Sequence, residues 1–185
     1  MKKYIFRNKI VQLNVLTILG FFLAQCEKET PEMVNEEELI TSVTLSISTT
    51  NESSHTIRWV QGKQAPEITL KSDTTYAVEI SFLDESDPTD VENITEEVIE
   101  EADEHLVYYD NNLEGLNIQS AANDVKDSKG VAIGIRTQWQ TGAGGALGAL
   151  RVYLVHEPVS KTANTRAAVG GETDVEVDFS IRIND

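Results

Sequence analysis

From residue 39 to the C-terminus, hydrophobic and polar residues alternate with a period of two. The pattern is clearest near the end of the chain, where Val175, Val177, Phe179, Ile181 and Ile183 are separated by polar residues. Successive side chains of a strand point to opposite faces, so this alternation predicts strands with one buried face. The other long alternating segments are 43–47, 76–82, 131–139 and 150–154, and the shorter ones are 56–60, 67–70, 105–109 and 115–121. Many short strands separated by turn residues predict an all-β fold, an antiparallel, immunoglobulin-like β-sandwich over residues 39–185.

One segment departs from the period of two. Between residues 93 and 104, Ile94, Val98 and Ile99 recur at helical spacing. The segment begins with an asparagine that is followed three residues later by a glutamate, a pattern that resembles a capping box. Its carboxylates also recur at i, i+4, where each like-charged pair costs a few tenths of a kcal/mol. We therefore expect one short acidic helix that packing or a bound cation must hold.

The N-terminus has the pattern of a secretory signal peptide. A lysine-rich start without acidic residues precedes a mostly apolar run over residues 10–24. That run is shorter than the roughly 20 residues that a membrane-spanning helix needs, and it fits the apolar region of a signal peptide. We predict that residues 1–25 form this signal peptide.

The apolar run ends in Leu23-Ala24-Gln25-Cys26, which resembles the lipobox of bacterial lipoproteins. In that family the cysteine receives acyl chains, palmitate among them, and the chain is cut just before it. Cys26 is the only cysteine of the chain, so its place at this position favours the lipid anchor over the alternative of a free buried thiol. The resemblance implies residues 26–38 as a lipidated, acidic tether. The partner it implies is the outer membrane, which the acyl chains on Cys26 would enter.

The five residues after the cysteine, Glu27-Lys28-Glu29-Thr30-Pro31, resemble the export signals that Bacteroidota lipoproteins use to reach the cell surface. This resemblance favours exposure on the outer face of the outer membrane. The alternative is that the protein faces the periplasm.

The chain is strongly acidic, with 15 Lys+Arg against 31 Asp+Glu and a formal net charge of −16. Removal of the predicted signal peptide leaves 11 Lys+Arg and a net charge of −20. Such a charge argues against nucleic acid as a partner. Residues 72–125 contain 16 acidic residues and no Lys or Arg. This stretch is either a solvated face or a site for a cation.

Two histidines suggest where a cation would bind. His105 follows the acidic helix, and His156 ends a predicted strand. If the strands lie side by side, the two imidazoles and the carboxylates of Glu101 and Glu104 form a candidate site for a divalent transition metal. The alternatives are ordinary surface histidines paired to acids, or calcium bound by the acidic loop 84–90, although that loop lacks the spacing of an EF-hand.

The chain offers little for catalysis. It has no Gly-x-Ser-x-Gly and no His-Glu-x-x-His motif, and the lipid anchor would consume its only thiol. We therefore expect a protein without enzymatic activity. The first hypothesis is a binding module for a metal ion or cationic ligand, working beside an outer-membrane transporter or another surface partner. The alternative is a structural or adhesive protein of the cell envelope without a small-molecule ligand.

Several stretches resemble a family of small flavobacterial lipoproteins. They are the segments 35–41, 93–105, 150–158 and 170–177. The family is often labelled a type 1 periplasmic binding fold, which implies two α/β domains of about twice this length. The period of two predicts a single sandwich instead, and the resemblance brings no established activity.

Overall fold

The computed structural model describes residues 38–51 and 53–185. The predicted signal peptide, Cys26 and the tether up to residue 37 lie outside the described residues. Within them, neither helix has the length and hydrophobicity that crossing a bilayer requires.

The described residues form nine strands in two sheets, together with two short helices, so the all-β prediction is confirmed. The strands are β1 (Ser42–Ser48), β2 (His55–Val60), β3 (Ile68–Lys71), β4 (Thr75–Leu83), β5 (His105–Asn111), β6 (Leu116–Ser120), β7 (Arg136–Thr141), β8 (Leu147–His156) and β9 (Glu172–Asn184). The helices are α1 (Ile94–Glu100) and α2 (Arg166–Val169).

The first sheet has the order β2-β1-β4-β7-β6, and the second has the order β3-β9-β8-β5. All neighbours are antiparallel except β3 and β9, which are parallel. This one parallel pair is an addition to the antiparallel arrangement that the sequence predicted. After β2 the chain leaves the first sheet, forms β3 in the second sheet and returns to the first sheet as β4. In the second sheet β3 lies beside β9, and the two strands run in the same direction. A local alternation of residues carries no information about which strand will be the neighbour.

The alternation predicted from the sequence becomes the core between the sheets. In β9 the side chains at positions 175, 177, 179, 181 and 183 are buried, while most of the intervening ones are exposed. Trp139, Phe82 and Phe179 are the largest fully buried side chains. Burial of apolar area at about 25 cal/mol per Å² makes this core the main stabilising contribution to the fold.

The predicted strand over 131–139 begins only at Arg136. Before it, the buried residues Ile133 and Ile135 connect the two sheets. The carbonyl of Ile133 accepts a hydrogen bond from Val107 of β5, and that of Ile135 accepts one from Ile80 of β4. A regular strand pairs within one sheet, so this bridging segment, in which residues 133–135 are all buried, is not a strand.

The acidic helix is confirmed over Ile94–Glu100, shorter than predicted. Asn93 is its N-cap residue, but its side chain does not cap the backbone. The amide of Asn93 instead donates to the carboxylate of Glu96 at 2.8 Å. Thr95 attaches the helix to the core because its hydroxyl accepts from the backbone N–H of Phe82 at 2.8 Å and donates to the Phe82 carbonyl at 3.1 Å.

A second short helix, α2, was not predicted from the sequence. Thr165 caps it by accepting from the backbone N–H of Ala168. Four residues are too few for a helical period to be recognised in a sequence.

Candidate metal-binding site

Two histidines face each other at one end of the second sheet. His105 begins β5, His156 ends β8, and the two residues are direct partners in the antiparallel register. Their rings stack with centroids 4.9 Å apart and planes inclined by 12°. The two strands thus lie side by side, as the metal-site hypothesis required.

His105 is held in a defined orientation and is only 1% exposed. Its Nδ1 lies 3.2 Å from the backbone carbonyl oxygen of Glu101, the C-cap residue of α1. The last carbonyls of a helix have no partner within the helix, so a ring N–H is a natural donor to this oxygen. When Nδ1 carries the hydrogen, Nε2 presents its lone pair on the other side of the ring, where Glu38 Oε1 lies at 3.3 Å.

Asp174 reaches the same point through an irregularity in β9. Leu154 pairs with Val175, but the next residue of β8, Val155, pairs with Thr173. Asp174 is therefore an extra residue without a partner on β8. Such a bulge redirects side chains, and here the carboxylate of Asp174 lies close to the imidazole of His105.

Glu38, His105 and Asp174 form the convergent group. One ligand atom from each of the three lies within 4.8 Å of the others. One oxygen of each carboxylate, Glu38 Oε2 and Asp174 Oδ2, is buried and has no hydrogen-bond partner among the described residues. A buried carboxylate oxygen without a partner is costly, and a bound cation would remove that cost.

Burial and the closeness of negative charges shift the pKa values of the convergent group and of its neighbour Glu97. Burial, followed by the charge of Glu38, raises the pKa of Asp174 to about 6, although the nearby histidines act against this rise. Burial also raises the pKa of Glu97 on α1, and the charge of Glu38 adds to that shift. Burial by itself lowers the pKa of His105, but the hydrogen bond and charge of Glu38 outweigh it, so that the pKa is raised overall. The site thus favours positive charge, either as a proton on His105 or as a metal ion in its place.

The four predicted metal ligands do not converge on one point in the structure; they are Glu101, Glu104, His105 and His156. His105 is in the convergent group, while His156 lies beside it in the ring stack. Glu104 approaches His156, with Oε2 at 3.6 Å from Nε2. Glu101 contributes its backbone carbonyl and not its carboxylate. Of the predicted set, only His105 belongs to the three-residue cluster.

Sequence reasoning missed Glu38 and Asp174. Glu38 was assigned to the tether, and Asp174 lies just before Val175, where the predicted last strand began. The unusual signal at Asp174 was the Gly170-Gly171 pair shortly before it. Both glycines have positive φ, and a Cβ on Gly171 would overlap the carbonyl oxygen of His156. This close approach brings the start of β9 against the end of β8.

The acidic loop 84–90 is not a convergent site. The carboxylate of Asp84 accepts from the backbone N–H of Ser86, and that of Asp87 accepts from the backbone N–H of Thr89. Each carboxylate thus closes its own local turn, the usual role of aspartate in loops. The alternative of a calcium site there gains no support from this geometry.

Comparisons of this chain with protein-family models, with curated proteins and with solved structures found no match. The resemblance to small flavobacterial lipoproteins therefore stays a prediction, and function must be argued from the site itself.

Proposed function

We propose that this protein is a lipid-anchored binding module whose β-sandwich binds a divalent transition-metal ion, such as zinc, through Glu38, His105 and Asp174. The observation that supports the proposal most strongly is the convergence of one imidazole and two carboxylates around buried oxygens without partners. Three protein ligands leave further coordination positions for water or another ligand, as in exchangeable metal sites.

The surroundings of His105 also support metal binding. A histidine that binds a metal usually donates its other ring N–H to a carbonyl or carboxylate, and His105 is arranged in this way toward Glu101. The stacked ring of His156 and the neighbouring Glu104 form a second layer beside the site. One nitrogen and two oxygens suit zinc and similar ions better than calcium, which prefers six to eight oxygens.

The proposal is tested by calorimetric titration of the detergent-purified full chain with zinc, manganese and calcium at constant ionic strength. We expect one zinc ion per chain at micromolar concentration, with a rise in thermal midpoint. His105→Gln and Asp174→Asn should each weaken zinc binding at least about tenfold, the usual effect of removing a ligand or its support.

His55→Gln is the matched control, since His55 is exposed on β2 and outside the cluster. It should bind zinc like the wild type. Absence of both heat and thermal shift with zinc, or equal binding by His105→Gln and the wild type, would contradict the proposal. Those results would favour the structural or adhesive alternative.

The lipid anchor is a separate part of the proposal, and it rests on the sequence around Cys26. Expression of the full chain in a Gram-negative host should give a membrane-bound protein whose N-terminal peptide carries acyl chains by mass spectrometry. Cys26→Ser should remove the acyl mass and release the protein from the membrane fraction. A Cys26→Ser variant that stays in the membrane would argue against lipid anchoring.

A further inference from the structure

A second candidate site lies beside β5, where β5 and β6, an edge strand of each sheet, line the same cleft. A cleft of about 370 Å³ is lined by residues of β5, β6, the bridging segment 132–134 and the loop 161–164. Its volume is within the range of about 300–1,000 Å³ that is typical of small-molecule sites. The cleft contains none of Glu38, His105 and Asp174, so it is independent of the proposed metal site.

The lining is nearly free of charged residues in a chain with a net charge of −16. Among the described residues that line the cleft, Lys161 alone carries a charge. Its ammonium donates to the carbonyl of Ala102 and lies 3.3 Å from the carboxylate of Asp127, so its charge is already compensated. The cleft therefore matches a neutral ligand better than an anion or a cation.

The cleft offers unused hydrogen-bonding groups around aromatic rings. The side chains of Asn111, Gln119 and Thr162 make no hydrogen bond to the described part of the protein, although each can both donate and accept. Tyr108 and Tyr109 also line the cleft, and their hydroxyls are held by the carbonyls of Asn164 and Gly134 at 3.0 Å each. The ring of Tyr109 packs edge-on against Trp139 in the core. Tyr108, the next residue along the strand, is on the other face, so its ring is the fixed apolar surface that the cleft offers at low entropic cost.

We propose that this cleft binds a neutral saccharide. A sugar has hydroxyl groups that both donate and accept, which amide and hydroxyl side chains complement. It also has a C–H face that packs on an aromatic ring such as that of Tyr108. A fixed tyrosine ring, amide side chains without a protein partner and a lining whose one charge is compensated occur together at this one cleft.

The test is a titration of the isotope-labelled full chain with neutral disaccharides of glucose, galactose, mannose and N-acetylglucosamine, followed by NMR of backbone amides. We expect at least one of them, at millimolar concentration, to shift the amide signals of residues 108–111, 119 and 162. A disaccharide that contains a uronic acid is the charge control, and it should bind more weakly than its neutral counterpart.

Asn111→Ala and Gln119→Ala should each weaken binding about three- to tenfold, the effect of losing one hydrogen bond. Gln140→Ala is the matched control, because Gln140 is exposed on β7 and does not line the cleft. Unchanged thermal midpoints in all three variants would show that folding is intact. No shift with any neutral disaccharide, shifts outside the cleft, or equal binding of the uronic acid would overturn the proposal.

Discussion

At the scale of single residues, the candidate metal site depends on where two carboxylates meet one imidazole. His105 is nearly inaccessible to solvent, and its Nδ1 is directed to the carbonyl of Glu101. Its other nitrogen therefore faces Glu38 and the neighbouring Asp174. Without a metal, these two carboxylates repel each other inside a partly desolvated site, so the residues that would bind the ion destabilise the protein in its absence.

This repulsion gives the pH dependence of stability a definite sign. The pKa of Asp174 is raised from 3.8 to about 6, so between these values the folded state binds more protons than the unfolded state. The contribution of Asp174 to stability in a chelator should therefore fall as the pH rises through this window and then level off. His105, whose pKa is also raised, adds stability at low pH that is lost as the pH rises through its folded-state value.

We predict that Asp174→Asn raises the metal-free stability at neutral pH by about 1–2 kcal/mol, after allowance for solvent screening of a half-buried group. The variant should also flatten the decrease in stability between pH 4 and about 6. Thermal unfolding followed by circular dichroism in a chelator measures both effects. Asp90→Asn, in an exposed loop, should behave like the wild type. An Asp174→Asn variant that is less stable at neutral pH would argue against the repulsion.

At the scale of elements, the site is built from the ends of several segments. The C-terminal end of α1 supplies the carbonyl that orients His105, and the bulge of β9 supplies Asp174. The segment before β1 supplies Glu38 and is held because Ile40 is buried and the backbone N–H of Thr41 donates to the carbonyl of Leu83. Each segment is held by its own buried residues and backbone hydrogen bonds, and this packing brings the three ligands together.

The turn before β9 is the element whose geometry matters most for Asp174. Gly171 has a φ of +69°, and a Cβ there would overlap the backbone oxygens of His156 and Glu157. We predict that Gly171→Ala destabilises the protein by at least about 2 kcal/mol, from strain at positive φ together with this backbone overlap. Denaturant unfolding measures the loss.

Gly145→Ala is the matched control for this prediction. Its φ is +86°, but a Cβ there would have no neighbour within 4 Å. It should therefore cost only the strain of positive φ, about 1 kcal/mol. Equal losses in the two variants would mean that the contact with β8 is unimportant.

At the scale of the whole molecule, the dominant feature is negative charge. The formal net charge is −16, and 16 acidic residues lie in the stretch 72–125 without a Lys or Arg. Several of the exposed carboxylates elsewhere are paired, such as Glu67 with Arg182 and Asp178 with Arg151. Exposed pairs of this kind contribute little, so the excess charge should oppose the compact state.

We therefore predict that sodium chloride, raised from about 0.01 to about 0.15 M, increases the thermal midpoint of the metal-free protein, because it shortens the Debye length from about 30 to about 8 Å. Differential scanning calorimetry measures the change. Magnesium at the same ionic strength should act like sodium chloride, whereas zinc should add a further increase through the site. A midpoint that falls with salt would contradict this account of the charge.

Much of the fold was predictable from the sequence, because burial of one strand face imposes a period of two on the residues. The alternation of Val175, Val177 and Phe179 is enough to predict β9. The helical spacing of Ile94 and Val98 predicts α1. The pairing of His105 with His156 was foreseen only as a condition, since alternation defines strands but not their neighbours.

The remaining features were decided by tertiary structure. The bulge at Asp174 leaves the alternation of β9 almost unchanged, so nothing local indicates that its carboxylate joins His105. In the sequence, Glu38 does not differ from the other acidic residues of the tether. Only the folded chain places it against His105, at the start of β5. The parallel pair of β3 and β9 depends on where the chain crosses between the sheets. The cleft depends on the position of β5 relative to β6, which belongs to the other sheet. The sequence by itself determined most of the apolar core, because hydrophobicity is a property of each residue. Only the tertiary structure decided which polar residues meet, because convergence depends on contacts between segments far apart in the chain.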